Sequence, residues 1–426
     1  MAISSVTKNA VYKKIAWRLM PVLFLAYIFA YLDRVNIGFA KLGMKEEAWF
    51  NDDVFALASG IFFIGYFLFE VPGNILMHKI GARIWITRIM LSWGLISGLC
   101  ALSSSAQSFY WVRFFLGVAE AGFFPAIILF LTYWFPQKRR AAMFAMFMVA
   151  VNFAGIIGSP ISGWIMESTS TMDNLKPWQW LFVLEAVPSI LLGLCIPFLL
   201  TNRPEKANWL TAEEKEIVKN DMEEDAQKIS EKGETKNNFF DAFRTYKVWV
   251  FALIYFCIVI GMYGISFWLP QIIETIITKD KLEIGLLAAI PWSSAAVGMI
   301  IFGRKADQMQ QYGKFVAAAC FVSMVAFIAS GLHNTNAIFV MAMISLATTA
   351  LMSAVSTFWS LPSMVLSGTA AAAGIAFINS VGNLGGFISP EMFAWFKSHF
   401  DLGAGLMAAG VSMGIAGSIT LLVSRK

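Results

Sequence analysis

Long apolar runs separated by short polar breaks govern the whole chain. Twelve runs can be read, at 15–40, 54–77, 84–102, 109–135, 141–166, 178–200, 248–273, 284–302, 315–331, 337–361, 368–390 and 402–423. A run of about 20 apolar residues is long enough to cross a hydrocarbon core of about 30 Å as a helix. The pattern therefore predicts an all-α polytopic membrane protein with twelve transmembrane helices.

One polar stretch interrupts this regularity. Between the sixth and seventh runs lies "NRPEKANWLTAEEKEIVKNDMEEDAQKISEKGETK", the longest polar segment of the chain. Thr211 followed three residues later by Glu214 fits a capping box, so a short surface helix is expected to start there. The chain thus divides into an N-terminal six-helix bundle (1–200), a cytoplasmic linker (201–246) and a C-terminal six-helix bundle (247–426). The bundles also resemble each other. "NFAGIIG" (Asn152, Gly155, Gly158) in the fifth run and "NSVGNLG" (Asn379, Gly382, Gly385) in the eleventh share the pattern N-x-x-G-x-x-G. "GNILMHKIGAR" and "GRKADQMQQYGK" follow the second run of each half at nearly the same offset. Glycines at such spacing let helix backbones approach closely. In transporters built from repeats, substrate binds near the midplane between the halves.

Composition supports the membrane reading. Only 14% of the 426 residues are charged and 58% are hydrophobic, whereas soluble domains carry roughly 25% charged residues. The net charge of +5 acquires meaning when divided by side. Most of the 32 Lys and Arg fall at the N-terminus, in the linker, in "PQKRR", in "GRKADQMQQYGK" and in the terminal "SRK". Positive loops stay inside, so both termini face the cytoplasm, and the basic balance gives no reason to expect nucleic acid. The first run is too long for a signal peptide. Cys100, Cys195, Cys257 and Cys320 fall in four separate runs, and His78, His333 and His399 in loops. Neither set has metal-ligand spacing, and no cofactor or metal is expected.

Charge inside the runs is rare and lopsided. The segment 315–390 has no Asp, Glu, Lys or Arg from its start to Pro390, whereas the first half places Asp33 and Arg34 in run one, and Arg113 and Glu120 in run four. A charge at a helix centre costs about 2.5–3.5 kcal/mol on insertion scales, and such residues are functional by default. An arginine neutralised by a carboxylate has little to offer an anion. Protonating the carboxylate would free the guanidinium fork to bind a substrate carboxylate bidentately. A structural ion-pair cluster is the alternative, and Arg113 has a packing or tuning role in view. Glu70 and Glu185 read as structural hydrogen-bonding acids near helix ends. The second half offers Tyr263, Trp268, Trp292, Thr357, Trp359 and Asn379, which suit hydroxyls or an aromatic ring on the substrate.

Several blocks carry a family likeness: "YLDRVNIGFA", "GYFLFEVPGNILMHKIGAR", "RFFLGVAEAGFFPAIILFLTYWFP", "WQWLFVLEAVPS" and "SGTAAAAGIAFINSVGNLGGFISP". Together they make the chain resemble the major facilitator superfamily and, within it, the anion:cation symporter family, with its tartrate, rhamnonate and 4-hydroxyphenylacetate transporters. The resemblance implies proton coupling through Asp33 and Glu120 and substrate binding through Arg34. It also implies substrate contacts at Tyr31, Tyr66, Asn152, Thr357, Trp359 and Asn379; Arg113 and Trp292 are expected, from the residues themselves, to support the site. The expected function is import of a small organic carboxylate with protons, by a monomer in the bacterial cytoplasmic (inner) membrane. The chain departs from the superfamily pattern where His78 stands before Lys79 in place of an acidic residue, while Asp307 keeps one in the other half. The alternative is a proton-driven exporter, because "GIIGSPISGW" resembles the antiporter glycine-proline motif with Ser159 replacing a glycine. A membrane enzyme has no nucleophile–base pair or phosphate-cradling loop to support it.

Overall fold

The computed structural model describes residues 5–231, 245–333, 336–365 and 368–424, and leaves aside a few side chains within helices, that of His78 among them. The described residues are helical with no strand. The N-terminal half contains α1 (Ser5–Val35), α2 (Ile37–Met44), α3 (Asp52–Ile80), α4 (Ala82–Leu99), α5 (Ala106–Glu120), α6 (Phe123–Trp134), α7 (Gln137–Met148), α8 (Ala150–Ser168) and α9 (Pro177–Leu199). The linker forms α10 (Ala212–Glu231). The C-terminal half contains α11 (Tyr246–Ile276), α12 (Lys281–Met309), α13 (Tyr312–Leu332), α14 (Ala337–Phe358), α15 (Ser360–Val365), α16 (Gly368–Asn383), α17 (Gly385–His399) and α18 (Leu402–Ser424). Helix is the form in which each spanning segment satisfies its own backbone polar groups within lipid.

Eleven segments among the described residues are long and apolar enough to cross a membrane. The remaining expected span, 368–390, is present as α16 and α17 in series. At 16 and 15 residues, each is shorter than the roughly 20 a crossing needs. Similar breaks divide the first, fourth, fifth and tenth spans. At Asn36, Val149 and Leu384 the backbone stays right-handed, and the carbonyl accepts an i→i−3 bond beside its i→i−4 one: Phe39 N–H to Asn36 O (2.9 Å), Asn152 N–H to Val149 O (3.1 Å) and Phe387 N–H to Leu384 O (3.0 Å). Such local tightening inside helices often marks hinges. The fourth span turns a real corner, where Gly122 takes φ 86°, a conformation that a side chain would strain.

The sequence repeat is visible in packing. A Cβ at Gly158 would meet Leu32 of α1, and one at Gly385 would lie 2.6 Å from the Phe256 carbonyl oxygen of α11. The last glycine of each N-x-x-G-x-x-G motif therefore receives the first helix of its own half. The linker belongs with the N-terminal half. Its capping box forms as expected, with Glu214 N–H donating to Thr211 Oγ1 (3.1 Å) and Thr211 N–H to Glu214 Oε2 (2.9 Å). Helix α10 is then tied to α1 through Lys14–Glu214 (2.7 Å) and Lys8–Asp221, while Trp209 stacks on Trp134 with centroids 5.5 Å apart. Residues 232–244 of the expected linker lie outside the described set.

On the face opposite the basic loops, the halves close against each other. Buried Lys41 of α2 lies 2.6 Å from Asp52 of α3 and sits over the rings of Trp268 (3.6 Å) and Phe55 (4.0 Å). Asp52 also accepts from Lys397 of α17 at 2.5 Å, and Lys45 pairs with Glu274 of α11. One carboxylate thus bridges two lysines from opposite halves, closing the outer side. Removing one partner of a buried ion pair strands the other, at a cost of about 3–5 kcal/mol when burial is complete. Asp52 is 35% exposed, so a smaller penalty applies. Asp52→Asn is expected to raise outward opening at least tenfold. The readout is labelling of a Ser266→Cys reporter, in a background lacking the four native cysteines, by a membrane-impermeant thiol reagent. Unchanged labelling would show that the lysine–aspartate bridge does not hold this face shut.

Candidate functional site

Adjacent residues on a helix point about 100° apart, whereas residues three or four apart share a face. This geometry separates Asp33 from Arg34. Tyr31 and Arg34 face the space between the halves. Asp33 turns away between α4 and α9. There its Oδ2 accepts from Trp93 Nε1 (2.8 Å) and Ser189 Oγ (2.6 Å), and its Oδ1 from Ser97 Oγ (2.9 Å).

The carboxylate that reaches Arg34 is Glu120. It ends α5, immediately before the Gly122 corner, and forms a buried ion pair with the guanidinium, Nη2 to Oε1, with Nε also 3.4 Å from Oε2. Arg34 Nη1 donates to the hydroxyl of Tyr263 in the opposite half. Four rings surround the guanidinium carbon: Phe62 at 5.3 Å, Tyr66 and Tyr263 at 5.9 Å, and Tyr31 at 6.0 Å. Aromatic faces favour a cation, so this cage supports Arg34 when Glu120 is not ionised. Arg113 lies wholly buried behind the site. Its Nη2 donates to the Arg34 carbonyl (3.1 Å) and its Nε to the Ala58 carbonyl (3.2 Å), which pins α1, α3 and α5 together.

Arg34, Glu120, Tyr31, Tyr66 and Tyr263 line a central cavity with about 50 Å³ of open space, far below the roughly 300–1,000 Å³ of small-molecule sites. The halves are drawn together here, and a substrate requires them to part. Five of the ten tyrosines line the cavity: Tyr27, Tyr31, Tyr66, Tyr255 and Tyr263. Met148, Met262, Met299 and Met352 complete much of its wall. Among the described residues, Arg34 and Glu120 are the only Asp, Glu, Lys or Arg lining it.

The structure gathers Tyr31, Arg34, Tyr66, Glu120, Tyr263 and Asn379 around this cavity. The other sequence candidates stand apart. Asn152 sits behind it, with Nδ2 3.7 Å from Met299 Sδ; Thr357 is buried; and Trp359 packs edge-on against Tyr255 at 4.9 Å. Trp292 stands edge-on to Tyr31 (6.3 Å), between the cavity and the outer seal. Asn379 also donates to Glu70 (3.1 Å), which accepts from Ser380 too. Glu70 is therefore a buried acid joining α3 to α16 across the two halves. Sequence reading passed over Lys41, although a lysine inside "IGFAKLGM" was the available signal. It also left Glu70 without its partners, which lie some 300 residues away.

Two six-helix halves closing around a charged, tyrosine-lined centre define a membrane transporter. Residues 23–390 match the Major Facilitator Superfamily, and the chain belongs to it. A relative from Agrobacterium vitis, named provisionally as a tartrate transporter, is 43% identical over 97% of this chain and 91% of its own length. The inner membrane transport protein RhmT of Escherichia coli K12 is 34% identical over 99% and 97%, and a quinolone resistance transporter of Acinetobacter baumannii 38% over 94% and 91%. Among solved structures, an inward-facing bacterial homologue of the lysosomal transporter Spinster superposes with TM-score 0.76 at 16% identity, covering 99% of this chain and 98% of the other. A D-xylose–proton symporter superposes with TM-score 0.72 at 14% identity, covering 95% and 97%. The motif resemblance therefore holds, and this is a multi-pass protein of the bacterial inner membrane.

If Arg34 grips a carboxylate with its planar fork, Arg34→Lys keeps the charge but loses bidentate geometry. Uptake of the transported acid is expected to fall at least a hundredfold, measured as initial rate over substrate concentration. Normal apparent affinity in the lysine variant would remove Arg34 from the substrate's path.

Proposed function

We propose that the protein is a proton-coupled symporter that imports a small organic carboxylate by alternating access. The observation that carries this reading is the charge count of the cavity: among the described residues, one guanidinium, one carboxylate and no further Asp, Glu, Lys or Arg. Adding a carboxylate to that neutral pair would bury an unpaired negative charge, at a cost of several kcal/mol. Adding it together with a proton on Glu120 leaves the site neutral and transfers Arg34 from one carboxylate to the other. Anion and proton then bind together and leave together. Asp33, next to Arg34 along α1 but turned toward α4 and α9, is the second proton carrier. One monoanion with one proton draws on the pH gradient alone. A second proton adds the membrane potential, worth about 2.3 kcal/mol per charge at 100 mV.

The tartrate in one relative's name supports a carboxylate as substrate. Both halves of a single chain line the cavity, so a monomer suffices. A second reading, proton-driven export, draws support from the quinolone resistance relative. Quinolones themselves carry a carboxylate that Arg34 could serve, so the direction of net flux separates the readings.

In proteoliposomes with an imposed pH gradient, with and without a potassium–valinomycin potential, the wild-type protein is expected to concentrate its acid. Glu120→Gln and Asp33→Asn should each abolish concentrative uptake while exchange of labelled for unlabelled substrate survives. Concentrative uptake by both amide variants at the wild-type level would defeat proton coupling through these acids. Net flux against the proton gradient would establish the exporter.

A further inference from the structure

A second cavity, about 610 Å³ in volume, opens on the cytoplasmic side. It lies where α1, the start of α4, the end of α9 and the first linker residues meet, and shares no residue with the central site. Arg18, Arg83 and Lys206 line it, and no carboxylate among the described residues does. Among the described residues, none of these three side chains has an ion pair. Local folding holds this arrangement in place. Gly81 turns at φ 95° into α4, and Asn202 Oδ1 accepts the Arg83 N–H at 3.0 Å, fixing the linker against the helix start. The basic wall meets an apolar one. Phe198 is 86% exposed and Ile84 55%, both on the cavity lining, and Trp17, beside Arg18 on α1, is 73% exposed.

We propose that this cavity binds the phosphate headgroup of an anionic phospholipid from the cytoplasmic leaflet, with Arg18, Arg83 and Lys206 as the headgroup ligands. The shared chemistry is a phosphate anion, which a soluble phosphate could also supply. The apolar wall favours the lipid, since acyl chains would cover Phe198 and Ile84 while a free ion would leave them bare. Basic pockets between transmembrane helices on the cytoplasmic side bind lipid headgroups, and each Lys or Arg near an anionic surface contributes about 1 kcal/mol, roughly fivefold in affinity. A lipid held here would join α1, α4 and α9 to the linker, within one half, independently of the transported substrate.

The test uses the purified, delipidated full-length protein in a neutral detergent, titrated with phosphatidylglycerol, phosphatidylcholine or inorganic phosphate. The readouts are the thermal midpoint and lipid retention by native mass spectrometry. Phosphatidylglycerol is expected to raise the midpoint and remain bound, while phosphatidylcholine and millimolar inorganic phosphate do neither. Arg18→Gln alone should weaken phosphatidylglycerol about fivefold, and the triple variant R18Q/R83Q/K206Q about a hundredfold. Equal retention by wild type and the single variant, or equal response to the two lipids in the wild type, would overturn the proposal. If inorganic phosphate matches phosphatidylglycerol, the lipid assignment falls. The wild-type and Arg18→Gln arms decide the question even if the triple variant fails to fold.

Discussion

A single buried ion pair, Arg34 with Glu120, is the interaction on which the centre of this protein depends. Each charge would be costly alone among the helices, and each is tolerable because the other is there. Much of the surrounding architecture keeps the two in register. The Gly122 corner ends α5 just after Glu120, Arg113 holds the Arg34 carbonyl, and four aromatic rings enclose the guanidinium. Separating the two without a new partner for each would leave bare charge among apolar and aromatic side chains.

The two halves are joined at different depths by bonds of different kinds. On the outer face, lysines and an aspartate meet around aromatic rings. Beside the cavity, Tyr263 reaches Arg34, and Glu70 takes donors from Asn379 and Ser380. All of these connections are polar and local, so each can be broken without dismantling the packed interior of either half. Breaks at Asn36, Val149, Trp359 and Leu384, each a single residue interrupting a helix, place the points of bending in the same helices that carry candidate site residues.

Most of the fold was legible because lipid imposes a length on every apolar run, and the repeat was legible because its glycines recur at equivalent places. The six candidates that do meet at the cavity were legible for a related reason: polar groups are conspicuous in apolar helices. Orientation was harder to read. Asp33 and Arg34 are neighbours in sequence, yet the helical turn sends them to different interiors, and only the packing of α5 shows which acid Arg34 meets. Lys41 was hidden by its place near the end of a run, where a lysine ordinarily reaches solvent. Trp359, Thr357 and Asn152 carried the right chemistry, but their helices present neighbouring residues such as Ser356 and Val151 to the cavity.

The four methionines of the cavity wall have an evolutionary consequence. Methionine is unbranched, polarizable and tolerant of substitution, a side chain that repacks around differently shaped neighbours. The charged pair can therefore stay fixed while the wall changes shape by single substitutions, each costing little stability. A lineage built on this plan can drift from one organic substrate to another by small steps.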